Sequence, residues 1–480
     1  MSRIVAVSNR VMLPRRGNAP GGLVVGVLAA MKSRGGLWFG WNGEVEDPCT
    51  PEPTVHRRDN VTYATLSLSS EESRDYYQGF CNSTLWPLFH YFLDGFRFHD
   101  AQYESYLAVN RRFAQHLLPL LRADDVIWVH DYHFLPLARQ LRQSGVQLPI
   151  GMFLHIPFPH IDSLRVLPVH AELIDSMLDF DLVGFQTQSD LDAFLAAVRV
   201  VRGPGSVAGD DGVLVNGRCV RVGVFPIGVD VDLVQQEALL AQRGEPCQRM
   251  IRGLIGKRLM IGVDRLDYSK GLVQRFKAYE QFLESHPQAR NRVTYIQIAP
   301  LSRSDVHAYA AIRSELEQTA GRVNGRLAET DWTPIRYLNR NFPHGTLMGF
   351  MRNAPVGLVT PLRDGMNLVA KEFIAAQDPS DPGVLILSTL AGAARELTEA
   401  LQVNPYDIRG MADAMERAFN MPREERIQRH ESMLRALRSN DVAAWHSRFL
   451  ELLCQPAAAT GGCSFDAEAS RRASRARRWS

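Results

Sequence analysis

Leu259-Met260-Ile261-Gly262-Val263 is a short apolar run that leads without a break into Asp264-Arg265-Leu266-Asp267-Tyr268-Ser269-Lys270-Gly271. A run of this length, bounded by a polar loop that ends in glycine, predicts a buried strand, and the residues beyond Gly271 predict a helix. Ligands of parallel sheets gather at the carboxyl ends of strands, where loops enter helix N-termini whose unpaired N–H groups favour anions. Arg265 and Lys270 bring two cations to such a helix start, the arrangement that a departing diphosphate requires. The plainer alternative is a structural network in which both cations pair with Asp264 and Asp267.

The same grammar recurs on both sides. Downstream, residues 292–298, 356–360 and 384–388 are further buried-strand candidates; upstream are Ile4-Val5-Ala6-Val7-Ser8, Val126-Ile127-Trp128-Val129-His130, residues 150–155 and Leu182-Val183-Gly184-Phe185. Strands alternating with helical patterns predict an α/β chain of doubly wound sheets. The segment Val224-Phe225-Pro226-Ile227-Gly228-Val229-Asp230 reads as a hinge between two Rossmann-like halves. The expected units are therefore 1–228 and 229–453, with the last, mostly helical residues free to pack back on the first half. Residues 454–480 turn to Pro, Ala, Gly, Ser and Arg and read as a disordered basic tail.

A second strand end, Thr360-Pro361-Leu362-Arg363-Asp364-Gly365-Met366-Asn367-Leu368-Val369-Ala370-Lys371-Glu372, falls in the same half as the Arg265/Lys270 loop. Gly365 permits a tight turn and close approach of a ligand, and Glu372 in the following helix offers a carboxylate to ribose hydroxyls. In the first half, Asn9-Arg10 and Gly21-Gly22 offer a guanidinium and backbone amides. Tyr76-Tyr77, Trp86-Pro87 and Trp38-Phe39-Gly40-Trp41 offer aromatic surfaces of the kind that line sugar sites, although most aromatics belong to cores.

Composition narrows the classes. The 480 residues suggest two or three domains, and the formal net charge of +2 gives no reason to expect a nucleic-acid or membrane binder. The six cysteines are scattered, without zinc spacing, and read as free thiols. No apolar segment is long enough to span a bilayer, so the expected location is the cytoplasm. Asp179-Phe180-Asp181 and Asp230-Val231-Asp232 match the D-x-D pattern that holds a metal on some nucleotide sugars, but they fall at a predicted junction and at the hinge. His130, His133 and His155 lack helical metal spacing.

Taken in order, Ser8-Asn9-Arg10, Gly21-Gly22-Leu23, Trp38-Phe39-Gly40-Trp41, His130-Asp131-Tyr132-His133, residues 155–159, residues 265–271 and residues 363–372 resemble the trehalose-6-phosphate synthases. The resemblance covers residues 2 to 453. It implies a GT-B fold, two facing Rossmann-like domains with the active site in the cleft. It also implies transfer of glucose from a nucleotide sugar, UDP-glucose by preference, to glucose 6-phosphate with retention, with no metal or other cofactor.

By the same resemblance, Arg265 and Lys270 stabilise the departing diphosphate. Arg10, Tyr77, Trp86 and Arg303 form the acceptor's phosphate site, with Trp41, or its neighbour Trp38, beside them. Asp131 binds acceptor hydroxyls near the reacting centre, and His155 contacts the donor glucose. Gly21, Gly22, Asp364, Leu368, Val369 and Glu372, with the backbone near Phe342, hold the rest of the donor. A homo-oligomer, such as a tetramer, is implied as well. The rival readings are a sister synthase that takes glycerol 3-phosphate, a nucleotide-sugar epimerase on the same fold, and a non-catalytic sensor of sugar phosphate.

Overall fold

The computed structural model describes residues 2–11, 26–28, 30–31, 35–208, 212–254, 256–301 and 307–455. Two sheets organise them. The first contains β1 (Ile4–Arg10), β2 (Gly36–Val45), β3 (Thr54–Arg58), β4 (Val61–Leu68), β5 (Val126–His130), β6 (Ile150–Phe153), β7 (Leu182–Phe185), β8 (Val207–Ala208), β9 (Gly212–Val215) and β10 (Arg218–Val224). Its order is β3-β4-β2-β1-β5-β6-β7-β10-β9-β8, with parallel neighbours from β4 to β10 and antiparallel pairs at both edges.

The second sheet contains β11 (Arg258–Val263), β12 (Val293–Ile298), β13 (Ile335–Leu338), β14 (Val356–Val359), β15 (Val384–Ser388) and β16 (Leu401–Val403). It is parallel throughout, in the order β13-β12-β11-β14-β15-β16. Counted within itself this is 3-2-1-4-5-6, the doubly wound order of dinucleotide-binding sheets.

Strand residues alternate between clusters, as the pleat requires. Val5 and Val7 join one apolar core, while Ile4 and Ala6 face a second that continues through Leu259, Ile261 and Val263 of β11; Met260 faces a third. One apolar cluster thus runs across both sheets. The chain passes between them near Gly228 and comes back at Asn440–Val442, and the two crossings touch: a Cβ on Gly228 would lie 2.1 Å from the Asn440 carbonyl oxygen. The helix Val442–Cys454 then lies on the first sheet, its Trp445 ring 4.9 Å from Trp128 and 5.2 Å from Phe153. No helix among the described residues is long and apolar enough to cross a membrane.

Several sequence readings need correction here. Residues 36–68, read only for their aromatics, form three strands. Trp38 is buried in β2, donates from Nε1 to Ser8 Oγ at 2.8 Å and packs against Tyr63 in the second core, on the opposite face from Trp41. Tyr76 is equally buried and donates to Asn9 Oδ1 at 3.1 Å, so neither Trp38 nor Tyr76 is a sugar platform. The helix read from Gly22 lies largely outside the described residues, as does the basic tail from residue 456.

Candidate active site

A doubly wound sheet opens a crevice where strand order reverses, and here that point lies between β11 and β14. The loops that leave these two strands are the Arg265/Lys270 and Arg363–Asn367 segments. Arg275, wholly buried in the helix Leu272–Ser285, ties their bases together. Its guanidinium donates to Asp264 Oδ2 at 2.6 Å, Gln297 Oε1 at 2.9 Å, Thr360 Oγ1 at 3.0 Å and the Lys270 carbonyl at 3.2 Å, and so joins the ends of β11, β12 and β14. Gly271 turns the chain with φ +65°, and a Cβ there would lie 2.3 Å from the Thr360 carbonyl oxygen. Asp267, also buried, accepts from Ser269 N at 3.0 Å and Tyr309 Oη at 3.1 Å. The loop is therefore rigid before any ligand arrives.

Its two cations are disposed differently. Lys270 reaches across the crevice and pairs through Nζ with Asp364 Oδ2, which also accepts from Asn367 Nδ2 at 3.0 Å. Arg265 keeps 45% of its side chain exposed, lies 3.4 Å from Asp267 Oδ2, and has its Cζ 5.3 Å from the centre of the Trp86 ring. A closed network of the two cations with Asp264 and Asp267 is not what forms: Asp264 belongs to Arg275, and Lys270 belongs to the opposite loop.

Across the cleft, Asp131 follows β5 with φ +73°, and its Oδ1 accepts from His155 N at 3.3 Å. His155 Nε2 and His130 Nδ1 are 3.2 Å apart, and burial lowers both imidazoles from their ordinary range, so one neutral ring donates to the other. Trp86 ends the π-helical segment Ser73–Leu85 that carries Tyr77. Tyr77 lies 5.0 Å from Trp41, and the Arg10 guanidinium lies 4.6 Å over that same Trp41 ring. Arg10, Trp41 and Tyr77 thus form one continuous patch, and Trp86 and Arg265 form another that joins the two sheets' loops.

Beyond the second loop, Leu368 and Val369 begin the helix Leu368–Ala376, half-buried, and Glu372 is buried one turn on. Phe342 sits under Arg340, whose Cζ is 4.4 Å from its ring centre. Gly21, Gly22 and Arg303 lie outside the described residues.

Sequence reading missed four partners. Arg363 stacks on Tyr91 at 4.2 Å, Phe92 meets Tyr268 edge-on at 5.1 Å, and both contacts join the two halves beside the crevice. His344 contacts Glu372 at 3.2 Å and Glu237 at 2.6 Å. Tyr268 and Arg363 lie in the two quoted strand-end loops, whereas Tyr91, Phe92, His344 and Glu237 carried no local signal. The D-x-D carboxylates are spent elsewhere: Asp179 on Arg139, Asp181 on Arg142, Arg218 and Ile150 N, Asp230 on the cap of the helix Val231–Gln242, and Asp232 on Arg438. Among the described residues no group of three or more His, Cys, Asp or Glu is placed to hold a metal ion.

The family model of glycosyltransferase family 20 matches residues 13–455. The chain is 49% identical over 452 residues to a trehalose-6-phosphate synthase of Klebsiella pneumoniae, covering 94% of this chain and 95% of that protein. An α,α-trehalose-phosphate synthase (UDP-forming) from Burkholderia xenovorans, solved in complex with glucose-6-phosphate, superposes with a TM-score of 0.90 at 48% identity, covering 94% and 100% of the two chains. A protein from E. coli, solved with UDP-2-fluoro glucose, superposes with a TM-score of 0.89 at 45% identity, covering 95% and 99%.

Proposed function

The chain belongs to glycosyltransferase family 20, and from that membership we propose that it transfers glucose from UDP-glucose to glucose 6-phosphate with retention, giving α,α-trehalose 6-phosphate and UDP. The observation that carries this reading is the crevice between β11 and β14. There Arg265 and Lys270 stand on a braced loop, and Trp86, Asp131 and His155 approach from the other half.

In the proposal the units are residues 1–228, which take the acceptor, and 229–453, which take the donor. Arg10, Trp41, Tyr77 and Trp86 with Arg303 hold the sugar phosphate, and Asp131 accepts hydrogen bonds from its hydroxyls. His155, kept neutral, contacts the donor glucose. Phe342, Asp364, Leu368, Val369 and Glu372, with Gly21 and Gly22, hold the rest of the donor.

As the bond from glucose C1 to the β-phosphate oxygen breaks, charge develops on UDP, and Arg265 and Lys270 stabilise it where it forms. The acceptor's anomeric oxygen bonds C1 from the same face, and its proton passes to the departing phosphate oxygen. No carboxylate nucleophile is invoked, since Asp264 and Asp364 are each held by a cation and Asp267 is held by Tyr309 and Ser269 N. The enzyme then acts in the cytoplasm as a homo-oligomer, whose mass light scattering checks.

The test incubates the protein and a chelator with UDP-, ADP- or GDP-glucose and either glucose 6-phosphate or glycerol 3-phosphate, with products identified by NMR. Trehalose 6-phosphate from UDP-glucose is expected. Product from glycerol 3-phosphate alone would transfer the chain to the sister synthases, and donor turnover without an acceptor would favour an epimerase.

A further inference from the structure

His344 opens the helix His344–Arg352, between two carboxylates that come from distant parts of the second half. Its Nδ1 lies 2.6 Å from Glu237 Oε2 on the helix Val231–Gln242, and its Nε2 lies 3.2 Å from Glu372 Oε1 on the helix Leu368–Ala376. All three side chains are mostly buried, with 12%, 18% and 10% of their surface exposed for His344, Glu237 and Glu372. An imidazole that faces a carboxylate through each nitrogen satisfies both only when it carries two protons. Burial opposes that charge, but the hydrogen bonds and charges of Glu372 and Glu237 outweigh it and push His344 up to about 9. The ring is therefore a two-way donor at neutral pH.

The arrangement fixes one oxygen of Glu372 and leaves Oε2 unengaged by any described residue. His344 and Glu372 line a recess with Gly228, Val229, Asp230, Leu233, Val234 and Val442. A carboxylate on a rotatable stem that must receive sugar hydroxyls loses affinity to side-chain freedom, and a charged ring on its other oxygen removes that freedom.

We propose that His344 is a positioning residue for the donor: bridging Glu237 and Glu372, it holds the Glu372 carboxylate in the orientation that accepts hydrogen bonds from the nucleotide sugar's ribose hydroxyls. The inference rests on the proposal that Glu372 holds part of the donor, and on the sequence reading that offers its carboxylate to ribose hydroxyls.

The charged groups around His344 are Glu237, Glu372 and Asp230, which lines the same recess. The helix Glu245–Arg252 packs farther along, where Cys247 meets Gly349. Deprotonation of His344 takes one hydrogen bond from this set, so donor affinity should fall as pH rises through about 9.

The experiment measures KM for UDP-glucose, KM for glucose 6-phosphate and kcat in wild type, His344→Ala, His344→Gln, Glu237→Gln and Glu372→Ala, from pH 7 to 10. His344→Ala should raise the donor KM roughly tenfold or more, with the acceptor KM and kcat changing much less. His344→Gln, which keeps one donor, should recover part of the loss and abolish the alkaline rise in donor KM; Glu237→Gln should raise the donor KM by less than His344→Ala. An unchanged donor KM in His344→Ala, beside a raised one in Glu372→Ala, would overturn the inference alone. An unchanged donor KM in Glu372→Ala would overturn the ribose assignment and the inference with it. A rise in both KM values together, or an alkaline rise that persists in His344→Gln, would reduce His344 to a structural role.

Discussion

A Cβ on Gly365 would lie 2.1 Å from the carbonyl oxygen of His155. The Arg363–Asn367 loop of the second half thus meets the backbone of the first half with no side chain between them, at the point where His155 and Asp364 flank the cleft. Gly365→Ala must separate these backbones by an ångström or more, and a misplacement of that size costs roughly a hundredfold in rate. We expect kcat to fall by about that factor and the ratio of UDP-glucose hydrolysis to transfer to rise, as water enters the widened cleft. Turnover at the wild-type rate would show that this contact does not set the spacing.

Arg265 and Lys270 should separate in their effects on folding. Either alanine variant should lose about 3 kcal/mol of transition-state stabilisation, a hundredfold or more in kcat. Arg265 is nearly half exposed and its nearest carboxylate, Asp267, has Tyr309 and Ser269 N as partners, so Arg265→Ala should melt close to wild type. Lys270→Ala leaves Asp364, a mostly buried carboxylate, with the Asn367 amide, so its Tm should fall as well. Thermal melts beside initial rates check both halves of this expectation.

What the residues disclosed in advance follows from how each structure is encoded. Val126–His130, Leu182–Phe185, Val356–Val359 and Val384–Ser388 are buried on both faces and read as unbroken apolar runs, so they were visible without any partner. The strand Thr54–Arg58 is exposed along its whole length, and β2 carries Gly40 and Asn42 among its aromatics, so neither signals by hydrophobicity. At the site, Arg265 and Lys270 share one loop with its strand and helix, whereas Lys270 and Asp364 are 94 residues apart and His344 and Glu237 are 107 apart. Such pairs exist only once the sheet has brought their loops together.

His90 gives the protein a pH-dependent stability. The ring is buried, and its Nδ1 donates to the Trp86 carbonyl at 2.8 Å. Burial, opposed by Asp267, lowers its pKa to about 4 from an ordinary 6.5. The unfolded chain therefore takes up a proton that the folded chain refuses. The stabilisation is complete above the unfolded value and is lost as pH falls from there toward 4. At pH 5.5 the loss is on the order of 1 kcal/mol for one such histidine, and His130, also buried and lowered by that burial, adds to it. Denaturant melts at pH 7.5 and 5.5 should show the decline, and His90→Gln should shrink it by on the order of 1 kcal/mol. Identical pH dependence in that variant and wild type would remove His90 from the account.

Lys371 adjoins Glu372 in sequence, and its ammonium is spent at the segment that joins the two sheets. Its wholly buried Nζ donates to the Ile227 carbonyl at 2.7 Å and pairs with Glu396 Oε1 at 2.8 Å, so one ammonium joins the helix Leu368–Ala376, the segment between the two sheets and the turn after β15. Burial pulls its pKa below the usual lysine range against the Glu396 charge. Lys371→Met keeps the length of the stem but leaves a mostly buried carboxylate and a carbonyl without their donor, at a cost of about 3 kcal/mol. Lys371→Met with Glu396→Gln removes the stranded charge and should recover much of that loss, because a missing pair is cheaper than half of one. The comparison of Tm across the two variants and wild type measures this directly. A single variant as stable as the double one would mean that Glu396 turns to solvent when Lys371 is lost, and that the lysine holds the segment between the sheets through Ile227 alone.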